Sequence, residues 1–107
     1  MSSIHKNLAN GRWQTFSFML QMGNIGSEVS RVTMLREINK ERSAEATLRA
    51  LELLDLTIQD PKNAGRLKEL CQLREVLALN DTNQSTGEQW ANYFYPFAYA
   101  SAIERNA

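Results

Sequence analysis

Phe18-Met19-Leu20-Gln21-Met22-Gly23-Asn24-Ile25-Gly26-Ser27-Glu28-Val29-Ser30-Arg31-Val32 is the run of residues from which the fold is read. Within it Phe18, Met22, Ile25, Val29 and Val32 recur at steps of four and three, the spacing of one apolar stripe along an α-helix. The pattern predicts a first helix over roughly 15–38. Upstream, residues 1–12 carry few apolar side chains and include the turn pair Asn10-Gly11, so they are expected to form an N-terminal arm.

Downstream, the stripe changes register across Asn39-Lys40-Glu41-Arg42-Ser43. A second set, Ala44, Leu48, Leu51, Leu54 and Ile58, then takes over, and such a shift is what a chain reversal requires; Ser43 is the expected N-cap. Asp60-Pro61 marks the next boundary. Proline disfavours helical geometry in the residue before it and fits the first turn of a new helix, with Asp60 as N-cap. A third helix is expected from there to Leu79, its broad face formed by Leu67, Leu70, Cys71, Leu73 and Leu77.

After the polar loop Asn80-Asp81-Thr82-Asn83-Gln84, the overlapping capping boxes Ser85-x-x-Glu88 and Thr86-x-x-Gln89 start a fourth helix. Trp90, Phe94 and Phe97 form its inward face, and Pro96 should kink it by removing one backbone hydrogen bond. Four apolar stripes joined by short loops are buried together by an all-α, antiparallel up-down-up-down four-helix bundle, a single domain over 1–107.

The composition bounds the function. Twelve Lys and Arg balance twelve Asp and Glu, so the chain lacks the positive potential that drives binding to a phosphate backbone. One cysteine permits no intrachain disulfide and fits a reducing compartment. No apolar stretch approaches the ~20 residues that span a bilayer. The start, Met1-Ser2-Ser3-Ile4-His5-Lys6, lacks a signal peptide's apolar segment, so a cytoplasmic location is expected, with no membrane partner.

Catalytic signatures are sparse. A di-metal carboxylate centre in a helical bundle draws a histidine from each of two helices. His5 is the only histidine and lies in the arm, so neither metal nor cofactor is expected. Cys71 falls among leucines, which reads as a buried structural thiol rather than a nucleophile. The expectation is a protein that is not an enzyme.

Charged residues inside the apolar arcs are more informative. On a helical wheel of about 100° per residue Asp55 falls between Leu48 and Leu51, and Arg74 between Leu67 and Leu70. Reversing the chain at the two turns sets Glu28 and Arg66 level with Asp55, with Tyr99 nearby. The functional interpretation is a polar pocket of Glu28, Asp55, Arg66, Arg74 and Tyr99 that binds a small molecule. The simpler interpretation, favoured because buried charges are generally paired, is internal ion pairs that set helix register.

The first helix also has apolar residues opposite its main stripe: Phe16, Leu20, Met34 and Ile38, with the small Gly23 and Ser27 between them. A helix apolar on two sides has two things to pack against, so this face is the expected interface of a homo-oligomer. Six of the nine aromatic residues lie between Trp90 and Tyr99, where there is no Lys or Arg. Base stacking normally accompanies a basic groove; the cluster therefore reads as core plus a contact surface for a protein partner.

Gln21-Met22-Gly23-Asn24-Ile25-Gly26-Ser27-Glu28-Val29-Ser30-Arg31, followed by Leu51-Glu52-Leu53-Leu54-Asp55-Leu56-Thr57-Ile58 and Arg66-Leu67-Lys68-Glu69-Leu70, resembles small bacterial four-helix-bundle proteins. These are grouped near the 23S ribosomal RNA intervening-sequence proteins and the accessory variability determinants of diversity-generating retroelements. The resemblance covers roughly residues 13–80 and implies a bundle that assembles into rings, often pentamers. The retroelement member is a basic nucleic-acid partner, whereas this chain is neutral. The expectation is thus a self-associating interaction or scaffold protein; the alternatives are an accessory nucleic-acid-binding protein and a small-molecule binder.

Overall fold

The computed structural model describes residues 11–79 and 86–106, and among these the regular elements are all helical. A 3-10 turn at Trp13–Thr15 precedes α1 (Phe18–Leu35), which is followed by α2 (Lys40–Gln59). A 3-10 segment, Pro61–Arg66, leads into α3 (Leu67–Ala78), and α4 spans Thr86–Asn106. The expected polar loop at 80–84, His5, the arm up to residue 10 and the side chains of both capping boxes other than Gln89 lie outside the described residues.

Local chemistry explains the helix ends. Ser17 is extended, and its hydroxyl accepts from Leu20 N at 3.1 Å, so α1 starts three residues later than the periodicity suggested. The break before α2 is present, but its N-cap is Asn39, whose side chain accepts from Arg42 N at 3.1 Å. Ser43, expected in that role, lies inside α2 and donates to Val32 O at 2.8 Å. The hydroxyl there crosses to α1 rather than closing its own helix. Asp60 caps the next segment as expected, accepting from Lys62 N at 3.1 Å, although the first turn after Pro61 is 3-10.

In α1 four of the five residues of the predicted stripe, Met22, Ile25, Val29 and Val32, are buried, and Phe18 is half-buried. Removing each such side chain from water contributes about 1.5–3 kcal/mol. In α2 the stripe is corrected. Leu48 is exposed and Leu51 half-buried, while Ala46, Ala50, Leu53 and Leu54 are buried. Small Ala46 and Ala50 are fully buried and permit close packing on their side of α2, which takes the place of the larger apolar area of Leu48. Contacts between α1 and α2 run in opposite chain order, Val32 with Ser43 and Glu28 with Arg49.

The other flank of α1 receives α4. A Cβ added at Gly23 would lie 2.9 Å from Ser101 Cβ, and one at Gly26 would lie 2.9 Å from Phe94 Cδ1. Glycine is required at both positions because α4 sits where a side chain would be. Trp90 and Phe94 of α4, Leu54 of α2, and Leu70, Leu73 and Leu77 of α3 join one core with Met22 and Ile25. Pro96 lies within α4, at an exposed position. No helix among the described residues is long and apolar enough to cross a membrane.

Candidate functional site

The expected charged layer divides into separate groups. Glu28 is buried and accepts from Arg31 Nη1 at 2.7 Å and from Arg49 Nε at 2.9 Å, so it ties α1 to α2. Asp55 pairs with Arg74, Nε to Oδ1 at 2.5 Å and Nη2 to Oδ2 at 3.2 Å. This pair bridges α2 and α3, yet both side chains are roughly two-fifths exposed. Its hydrogen bond to Asp55 raises the Arg74 pKa further. Arg66 instead lies over the Phe18 ring, 4.2 Å from its centroid, and reaches Glu69 at 3.8 Å. Tyr99 points outward and stacks on Tyr95 with centroids 6.5 Å apart.

Only Asp55 and Arg74 of those five thus come together. Long side chains at the edge of an apolar arc reach water or a nearby partner at less desolvation cost than a shared interior layer would impose. Among the described residues no three His, Cys, Asp or Glu side chains gather in a way that could hold a metal ion. Cys71, read as buried from its leucine neighbours, is exposed. The wheel included it because Leu67 extends the apolar arc, but Leu67 is itself exposed and the buried face narrows to Leu70, Leu73 and Leu77.

The second face of α1 is partly covered within the chain itself. Gly23 is buried beneath Ser101 of α4, and Leu20 and Phe16 are half-buried, Phe16 edge-on to Trp13 at 5.5 Å. A helix flanked by two neighbours of its own chain has two covered sides, so these residues need no second subunit. Ser27 is exposed, with its hydroxyl donating to Gly23 O at 3.2 Å. Met34 and Ile38, at the far end, remain 69% and 80% exposed.

A row of large exposed side chains lies on α4. Tyr95, Tyr99 and Ile103 stand one turn apart on its outer side and are 68%, 62% and 54% exposed. From Gln89 to Ile103 the helix has no charged residue, and Trp90 and Phe94 on its inner side are buried. Between α1 and α4 runs an open groove of about 750 Å3, whose walls include Met34, Trp90, Phe94 and Tyr95. Tyr93, on the flank facing α3, donates to Glu69 Oε2 at 3.2 Å. Burial, reinforced by the adjacent Glu69 carboxylate, pushes its phenol up to about 12.

A further polar cluster went unrecognised in the sequence. Gln21 Nε2 donates to Asp60 Oδ2 at 2.8 Å and to Trp13 O at 3.1 Å, while its Oε1 accepts from Asn63 Nδ2 at 2.9 Å. Asn63 also donates to Thr57 O at 3.0 Å, and Lys62 Nζ bonds Asp60 Oδ2 and Gln14 O. Gln21, Thr57, Asp60 and Asn63 are all buried. Burial raises the Asp60 pKa, but the Lys62 and Gln21 hydrogen bonds outweigh it and hold the carboxyl below its ordinary value. One signal was available: Gln21 lies on the α1 stripe, three residues after Phe18 and four before Ile25, as Glu28 does three residues after Ile25. Each side chain of the cluster has partners, which identifies it as an internal clamp joining the Trp13 turn, α1, α2 and the 61–66 segment.

No family model, curated protein or solved structure matches the chain.

Proposed function

We propose that this chain is a non-enzymatic, cytoplasmic helical-bundle module that associates with copies of itself, through the outer face of α4 extended by Met34 of α1 and by Ile38 in the turn that follows it. The observation that carries this reading is the row Tyr95, Tyr99 and Ile103 on an uncharged stretch of helix whose opposite side is already buried. A helix apolar on all sides is at home between two layers, and one layer is present. Tyrosine adds large contact area and a hydroxyl that tolerates water at an interface rim. A second copy supplies the same row, and a twofold axis lets one patch satisfy both subunits.

Within this reading the helices alternate up, down, up and down, and Pro96 bends α4 because its ring removes one backbone bond and crowds the turn before it. The sequence resemblance to small bacterial bundle proteins supports self-association. Sedimentation equilibrium of the full chain tests it, alongside a variant carrying Tyr99→Glu and Ile103→Glu. Wild type is expected to show a multiple of the chain mass, and the variant the mass of one chain with unchanged helicity. A single-chain mass for wild type at the highest soluble concentration ends the proposal.

A further inference from the structure

The groove between α1 and α4 is mainly apolar, with the hydroxyls of Ser27, Ser30 and Thr33 along α1 and with Arg31 and Arg42 in its lining. Its volume of about 750 Å3 falls in the range of small-molecule sites, and Met34, Trp90 and Phe94 stand in its walls. The hydroxyls along α1 are turned to their own helix: Ser27 donates to Gly23 O at 3.2 Å, Thr33 to Ser30 O at 2.9 Å, and Ser30 to Met34 Sδ at 3.9 Å. A peptide laid here would find few partners for its backbone amides, whereas an aliphatic chain needs none. At the end near the turn between α1 and α2 stand Arg31 and Arg42. Arg31 gives one nitrogen to Glu28, while among the described residues the Arg42 guanidinium makes no ion pair.

We infer that this groove binds a single-chain aliphatic carboxylate, its hydrocarbon lying against Met34, Trp90 and Phe94 and its carboxylate held by Arg42 with Arg31 beside it. The complementarity is one-ended on both partners: a ligand with one anionic terminus and no other polar group matches a groove with arginines near one end and mainly apolar walls whose hydroxyls are already engaged within α1. A planar carboxylate also matches the paired donors of a guanidinium. The groove shares Met34 and Tyr95 with the proposed contact surface, whereas Tyr99 and Ile103 do not line it.

The test is a titration of the full chain with dodecanoate and with dodecanol, each kept below its aggregation threshold, followed by NMR at the Trp90 indole and the Met34 methyl. Dodecanoate is expected to bind at least about tenfold more tightly than the alcohol, the minimum for a charge-assisted hydrogen bond. Arg42→Gln, at an exposed position, should remove that preference, and Ser30→Phe should block both ligands. The variant carrying Tyr99→Glu and Ile103→Glu should bind as wild type does, so loss of self-association leaves this result intact. Equal affinity for acid and alcohol overturns the inference. Binding that survives Ser30→Phe, or that appears only with anionic phospholipid vesicles, also does so. A fall to single-chain mass in Ser30→Phe with no ligand binding assigns the groove to a second copy and overturns it as well.

Discussion

Trp13 Nε1 donates to Thr57 Oγ1 at 2.9 Å, and both groups are buried. The Thr57 hydroxyl in turn donates to Leu53 O at 2.7 Å, so the indole ends a chain of hydrogen bonds running into α2. The segment before α1 is thereby fastened to the end of the second helix.

Thr57→Val keeps the shape of the side chain but leaves the Trp13 N–H buried without an acceptor, which costs about 1–3 kcal/mol. Thr57→Ser should cost less because the acceptor is retained. Urea denaturation midpoints check both. The paired substitution Trp13→Phe with Thr57→Val should destabilise by less than the sum of the two single effects.

Gly23→Ala places a methyl group within 3 Å of Ser101 Cβ. Overpacking of this kind costs about 1–3 kcal/mol, partly offset by the better helix propensity of alanine, about 1 kcal/mol. A net loss of thermal stability is expected. Ser101→Gly added to Gly23→Ala reopens the space, so the double variant should be more stable than additivity allows, a coupling readable from thermal melts of the four proteins.

Asp60 has a folded-state pKa below its unfolded value, so its clamp contributes fully above the ordinary aspartate range. That contribution is lost as pH falls through the lower, folded-state value. Urea midpoints measured from neutral pH into acid should therefore drop below about pH 4. Asp60→Asn should lower stability at neutral pH and flatten this part of the acid dependence.

Tyr93 is shifted in the opposite direction, to about 12. Its neutral form is favoured by the fold, so its contribution is present below the unfolded tyrosine value near 10 and disappears as pH rises toward about 12. Following tyrosinate absorbance through an alkaline titration should show one late component, absent from Tyr93→Phe. Glu69→Gln should move that component to lower pH by removing the neighbouring negative charge.

How much could be read in advance differs from helix to helix. The stripe of α1 was legible because Met22, Ile25, Val29 and Val32 lie in one arc, with polar residues at most of the exposed positions. In α2 leucines occupy several sides, and the buried positions include Ala46 and Ala50, too small to stand out by hydrophobicity. Glu28 was expected level with Asp55 by reversal of the chain, and it is instead buried against Arg31 and Arg49. Its arginine partners, Arg31 and Arg49, were missed, because a wheel gives direction about one axis but not the reach of a long side chain from the next helix.

By itself the amino-acid order determined that the described chain is helical, that helices break before Lys40 and after Gln59, and that Asp60 caps a turn. Those outcomes depend on local geometry: apolar period, proline stereochemistry and short-range capping. Only the tertiary structure decided that α4 covers the Gly23 side of α1, that Asp60 joins Gln21 and Lys62, and that Tyr95, Tyr99 and Ile103 are left facing water. Each of these depends on distances between residues far apart in the chain, set by how closely whole helices can pack, and no local pattern carries that information.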